Sequence, residues 1–232
     1  MIGYWVPGIF FYLQDVRLLP RLFSRIDDVP PQELHKTYMA TIPHILFNQM
    51  FLNLPALYYV SSVIQRTPSN WSVDFLHFFI NNVVNVILFS VIHHLLHHPS
   101  IYRHIHKLHH RHQLTIAITS EYNHPVEEFL TWPLAAWAPL LFWPLSHYVM
   151  VFYAVTQAAY GVVGHAGYLI PGLEEDIVRH GIHHKLFNYN YSGFKMYDII
   201  MGTNKMSVEE EGGNHRAKRE KKIDGCKTKR VL

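Results

Sequence analysis

Apolar positions along the chain gather into four stretches, separated by polar, basic and histidine-rich segments. The first lies in "MIGYWVPGIFFYLQD" and runs for roughly 13 residues, too short to cross a bilayer core as a straight helix. Residues 42–65, "IPHILFNQMFLNLPALYYVSSVIQ", form the first stretch able to span. Pro55 inside it predicts a kink of the kind that membrane helices tolerate. Residues 75–96 form a second span that runs into histidines. Residues 129–163 hold two apolar segments around "WPLSH", with Pro133, Pro139 and Pro144, and predict a helical hairpin. Before the first span, "DDVPPQEL" (27–34) marks a helix start, with proline in its first turn.

Composition narrows the class. The chain has 232 residues, 49% hydrophobic and 16% charged. A soluble domain usually carries about 25% charged residues, so the deficit points to a membrane protein of one domain. A net charge of +3 is too small to argue for nucleic acid. The single cysteine, Cys226, excludes an internal disulfide framework and a cysteine zinc ribbon. The N-terminus has no basic region ahead of its apolar run and is not read as a signal peptide. Three segments follow: 1–41, membrane-associated and polar; 42–203, the catalytic domain; 204–232, a flexible charged tail.

Basic residues set the orientation. Arg17, Arg21, Arg25 and Lys36 precede the first span; Arg103, Lys107 and Arg111 follow the second; Arg179, Lys185, Lys195 and the basic tail follow the hairpin. The short loops at 66–74 and near Ser146 hold one such residue between them, Arg66. The positive-inside rule then places the N-terminus, every histidine-rich segment and the tail in the cytosol. The histidines can therefore meet in space.

Those histidines repeat a spacing. His93 and His97 are four apart, and His106, His109 and His110 have offsets of zero, three and four. His180, His183 and His184 repeat that triplet. On a helix such offsets share one face, where imidazoles one turn apart can converge on one metal. Eight neutral nitrogen donors exceed one tetrahedral zinc and suit two metals. Imidazole fits iron, zinc, copper or nickel, and spacing alone selects none of them. His94, His98, His104 and His112 fall off the repeated face and are read as surface or interfacial. The expected fold is all-α: an integral membrane helical bundle with a cytosolic histidine-rich helical cap that holds a dimetal site. Trp132, Trp137, Trp143, Tyr148 and Tyr153 are expected to anchor the hairpin at the membrane interface.

The boxes "HHLLH", "HKLHH" and "HGIHH" resemble those of the fatty acid hydroxylase/sterol desaturase superfamily. "LFNQMFLNLP" (46–55), "SEYNHPVE" (120–127), "GHAGYLIP" (164–171), "FNYNYS" (187–192) and "YDIIMGT" (197–203) are similar, in order, to its sterol C4-methyl oxidase and cholesterol 25-hydroxylase branch. The resemblance covers residues 30–205. It implies a multi-pass endoplasmic reticulum enzyme with two non-haem iron ions. Such an enzyme uses O2 and NAD(P)H-derived electrons, delivered by cytochrome b5 and its reductase, to oxidise a C–H bond of a sterol-type lipid. It also implies His165 as a further ligand. The chain has no His-Pro-Gly-Gly haem motif, so the reductant is expected to be a separate protein. His94 departs from the family, whose members usually have Arg at that place.

Glu121, His124, Glu127 and Asp198 are candidates to orient the ligands from behind, as acceptors for the outer imidazole N–H. Capping or turn structure is the plainer reading of each. Two alternatives stand beside a sterol oxygenase. One is a fatty acid or sphingolipid hydroxylase or desaturase of the same superfamily; the other is a non-enzymatic membrane protein that binds metal or haem through histidines.

Overall fold

The computed structural model describes residues 1–27, 29–64, 70–113 and 115–206. The tail from 207, with Cys226, and the first part of the 66–74 loop lie outside the described residues. Among those described, regular structure is helical, and the one extended contact is an isolated antiparallel bridge between Arg25 and Tyr168.

Helix α1 spans Ile2–Asp15. It buries Tyr4 and Phe11 but turns Ile2, Val6 and Ile9 outward. It lies directly against α7 (His147–Gly164), and Gly3 makes that approach possible. A Cβ on Gly3 would stand 2.3 Å from the Val155 carbonyl oxygen, well inside contact distance.

Helix α2 begins at Pro31 and runs to Asn48, with proline at its first position as expected. A π-helical turn, Gln49–Asn53, joins it to α3, Leu54–Ile64. Winding is therefore continuous through the first expected span, and a π turn stands just ahead of Pro55. Proline offers no N–H to the preceding turn, and a wider turn accommodates that loss.

Helix α4, Trp71–Leu96, is 26 residues long, or about 39 Å at 1.5 Å per residue. Asn70 caps it by accepting from the Ser72 and Val73 amides. It is the one described helix long and apolar enough to cross a membrane. Phe75 and Phe79 are 77% and 62% exposed, so its large apolar side chains face outward. Its inner face carries Asp74, Asn81, Ser90 and His93.

After the short α5 (Pro99–Tyr102) and a 3-10 turn (His106–Arg111), the chain reaches α6, Pro125–Phe129. Winding continues as a π-helical run to Trp137 and a 3-10 turn to Leu141. This is the first arm of the expected hairpin, with α7 as the second. The first arm is not one regular α-helix, because Pro133 and Pro139 remove amide donors inside it. Trp137, Tyr153, Leu140 and Leu145 pack between the arms and α3 as a buried core. Trp137 and Tyr153 are thus core residues rather than interface anchors; Tyr148 is exposed.

Helix α8, Glu174–Leu186, carries three acids in its first turn and Lys185 in its last, matching the helix dipole. Helix α9, Lys195–Ile200, closes the described chain. The histidine boxes therefore ride on the end of α4, the 3-10 turn and α8, beside the end of α7.

Candidate metal centre

Nine histidines assemble into two groups. His93, His97, His106, His110 and His183 form one; His109, His165, His180 and His184 form the other. Within each group the ligand nitrogens all lie within 4.8 Å of one another. These are the eight box histidines together with His165, the cap residue at the end of α7.

The partition cuts across the boxes. In box two, His106 and His110 enter the first group and His109 the second. In box three, His180 and His184 enter the second group and His183 the first. Helical angles explain the division on α8. Residue i+4 lies about 40° from i on one side and i+3 about 60° on the other. A triplet at zero, three and four therefore reaches two neighbouring centres. Ring stacking accompanies this: His180 lies on His183 with centroids 5.8 Å apart, and His106 on His109 at 5.4 Å.

The inward nitrogens are spaced for metal ligation. His106 Nε2 stands 3.1 Å from His93 Nε2, 2.9 Å from His97 Nε2 and 3.0 Å from His110 Nε2. His110 Nε2 stands 3.2 Å from that of His97 and 3.1 Å from that of His183. In the second group, His165 Nε2 is 2.8 Å from His180 and 3.4 Å from His109, and His184 is 3.0 Å from His180. A metal with nitrogen ligands at about 2.1 Å holds right-angle donors about 3 Å apart.

Protons argue the same way. His93 Nδ1 donates to the Tyr191 carbonyl at 2.5 Å and His183 Nδ1 to the Tyr189 carbonyl at 2.7 Å. His165 Nδ1 donates to the Gly161 carbonyl at 2.9 Å. A carbonyl oxygen only accepts, so each of these neutral rings carries its hydrogen on Nδ1 and turns a lone pair inward. The first group has five close Nε2 contacts; His106 gives its hydrogen to Glu127 through Nδ1, so only His97 and His110 remain to supply N–H groups there. Two hydrogens do not satisfy five contacts; a cation between the lone pairs would. Burial, reinforced by neighbouring imidazoles, holds His97, His106, His109, His110, His180 and His184 well below the usual histidine range. The rings are thus neutral, the form that binds metal.

Glu127 meets a box histidine directly, accepting from His106 Nδ1 at 2.7 Å. The other three candidates do not. Glu121 accepts from the Gln49 amide at 2.6 Å, and burial pushes its carboxyl up to about 7. His124 caps α6 by accepting from the Val126 amide, the turn role its sequence position also allowed. Asp198 accepts from Arg179 at 2.6 Å and from the Tyr191 and Ser192 amides at 2.8 and 3.1 Å. It thereby fixes the loop whose carbonyls orient His93 and His183. His94 stacks on Tyr191 and meets the Tyr197 hydroxyl at 3.0 Å. Like His98, His104 and His112, it stays outside both groups.

Two of the motif segments meet in space. Asn48 donates to the Asn123 carbonyl at 2.9 Å; Glu128 accepts from Asn53 at 2.6 Å and from Asn123 at 2.7 Å. With Gln49 and Glu121 these form a buried polar cluster beside Glu127. Glu128 is a residue that sequence reasoning passed over; it stands next to Glu127 on α6 and is fully buried.

The Fatty acid hydroxylase family matches residues 78–203, which hold all nine histidines, Glu127 and Asp198. The chain belongs to the fatty acid hydroxylase family. Its relatives include Fatty acid hydroxylase domain-containing protein 2 of Homo sapiens, 29% identical over 87% of this chain and 65% of that protein. A fatty acid hydroxylase of Mycosarcoma maydis is 32% identical over 72% of this chain and 46% of its own length. Methylsterol monooxygenase 1 of Rattus norvegicus is 30% identical over 68% of this chain and 59% of its own length. The chain thus spans 65% of the length of the human relative. No solved structure matches it.

Proposed function

We propose that this fatty acid hydroxylase family member is a membrane-bound dimetal oxygenase acting on a C–H bond of a sterol-type lipid. The observation that carries the reading is the pair of histidine groups, nine inward nitrogens at ligand spacing, with the outer nitrogens of His93, His106, His165 and His183 tied to acceptors. All-imidazole sites with many donors suit iron better than a four-coordinate structural zinc. Two iron ions held there would supply reduction of O2 by external electrons, for R–H + O2 + 2 electrons + 2 H⁺ giving R–OH + H2O.

The chain's own part is ligand placement. The Tyr189, Tyr191 and Gly161 carbonyls and Glu127 fix the rings, and the Arg179–Asp198 pair holds the loop behind them. In this reading α4 and the helical runs 31–64 and 125–164 form the membrane bundle, with domain limits 42–203. The bundle lies in the endoplasmic reticulum membrane, and the histidine layer and the tail face the cytosol. Cytochrome b5 and its reductase supply the electrons, docking by charge on Arg103, Lys107 and Arg111, all exposed. Lys185 is set aside as a docking residue, because it pairs with Asp27 at 2.8 Å.

The sterol assignment draws on the methylsterol monooxygenase relative. The Mycosarcoma relative favours a second reading, hydroxylation of a fatty acyl chain. Purified protein with NADH, cytochrome b5, reductase and O2, offered methylsterols and fatty acyl lipids, separates the two. Oxidised sterol as the product supports the first; a hydroxylated acyl chain with no sterol product moves the assignment to the second. Turnover without an electron donor contradicts both.

A further inference from the structure

We infer that Arg21 grips the phosphate of an anionic membrane lipid. The site lies outside the histidine centre, on the loop between α1 and α2. That loop is a built structure. Arg17 turns it with a left-handed φ of 65°, the Leu22 amide donates to Gln14 at 2.7 Å, and Arg25 pairs with Asp15 at 2.8 Å. Backbone bonds from Ile26 to Gly167 and from Leu169 to Ser24, both 2.8 Å, tie it to the segment after α7.

Within this loop, Arg21 Nε and Nη2 are shielded from solvent and have no hydrogen-bond partner among the described residues. Guanidinium does not lose its proton in proteins, so these are donors on a permanent charge. Shielded charges of this kind are normally paired. The charges around Arg21 are already balanced, Arg25 by Asp15 and Lys185 by Asp27. Among the described residues nothing offsets the positive charge of Arg21, which stands beside a cavity of about 510 Å³ that Phe23, Ser24 and the Lys185-paired Asp27 also line.

The geometry of the unpaired atoms selects the ligand. Nε–H and Nη2–H lie parallel on one edge of the guanidinium, the fork that holds two oxygens of a phosphate or carboxylate. Its surroundings select the source. Leu18 and Leu22, 70% and 63% exposed, flank Arg21, and the outward Ile2, Val6 and Ile9 of α1 extend the apolar surface. Leucines that enter the acyl layer next to an arginine at headgroup level are the arrangement of an interfacial lipid contact. The lipid source, though not the anion site, rests on the membrane reading above.

The test uses the full chain in neutral detergent, stripped of lipid. Its melting temperature is followed against phosphatidic acid and against inorganic phosphate. Phosphatidic acid is expected to raise it saturably, by about 3 °C, and Arg21→Gln to weaken half-saturation about tenfold. Arg17→Gln, an exposed arginine of the same loop, keeps the wild-type response. Without lipid, Arg21→Gln melts no lower than wild type, since it removes a charge that lacks a partner. Equal loss in the Arg17 and Arg21 variants would mean diffuse attraction and overturn the site. So would the absence of any shift, or an equal shift with inorganic phosphate alone, which would assign a free anion instead. Metal content of the same samples keeps a failure here distinct from a failure of the histidine centre.

Discussion

His106 and Glu127 are joined at 2.7 Å through the outer ring nitrogen, in a place where both side chains are shut off from solvent. The carboxyl fixes the ring so that its other nitrogen faces the first histidine group, and a carboxylate there offsets the charge of a bound cation. Outer partners of this kind are typically worth about 10–100-fold in metal affinity. Glu127→Ala is expected to lose affinity in that range. Glu127→Gln, whose amide oxygen still accepts, should lose less. Competitive metal titration measures both, and equal affinity in wild type and Glu127→Ala would remove the carboxyl from the centre.

Asp198 acts at one remove. It is fully buried, pairs with buried Arg179 and collects two amides of the loop that carries Tyr191. Breaking a buried pair from one side typically costs about 3–5 kcal/mol. Asp198→Ala should lower stability by that order and loosen the carbonyls that orient His93 and His183. Thermal unfolding reads the first effect. Metal bound per chain reads the second, with the loss confined to the group that contains His93 and His183.

Acid should destabilise the metal-free protein. Buried histidines have folded pKa values below the unfolded value of about 6.5; for His165, burial pushes it down to about 4. The unfolded chain therefore takes up more protons as pH falls below 6.5, and the stability of the neutral folded rings is lost across that window. Glu121 opposes this, because burial pushes its carboxyl up to about 7 and makes it favour lower pH. The lowered histidines outnumber this carboxyl, so the net direction is theirs. Melting temperature measured on chelator-treated protein should fall between pH 7.5 and 5.5; a rise over that interval would contradict the assignment of neutral rings.

Much of this was readable in the chain, and the reasons divide cleanly. The apolar run of α4 and the triplet on α8 are local patterns that helix geometry translates directly. The 3-10 turn of box two keeps the triplet's side chains together but not on one α-helical face. Sharing each box between two groups follows from three segments converging, which no single window contains. The outer acceptors were hidden for a different reason. Carbonyls of Tyr189, Tyr191 and Gly161 do that work, and a backbone carbonyl has no signature in residue type. His124 was misleading in the opposite sense, a histidine among motif residues whose ring caps a helix. Glu128 was overlooked because a second acid beside Glu127 reads as a solvated charge until Asn53 and Asn123 are seen to close on it.

Metal stoichiometry of the wild type and two single variants tests the central claim most directly. His109 and His183 belong to different boxes and different groups. Elemental analysis of iron-supplemented wild type should find about two ions per chain, and His109→Ala and His183→Ala should each retain about one. His98→Ala, outside both groups, should retain both ions. Full metal retention in the His109 and His183 variants would contradict the two-group centre.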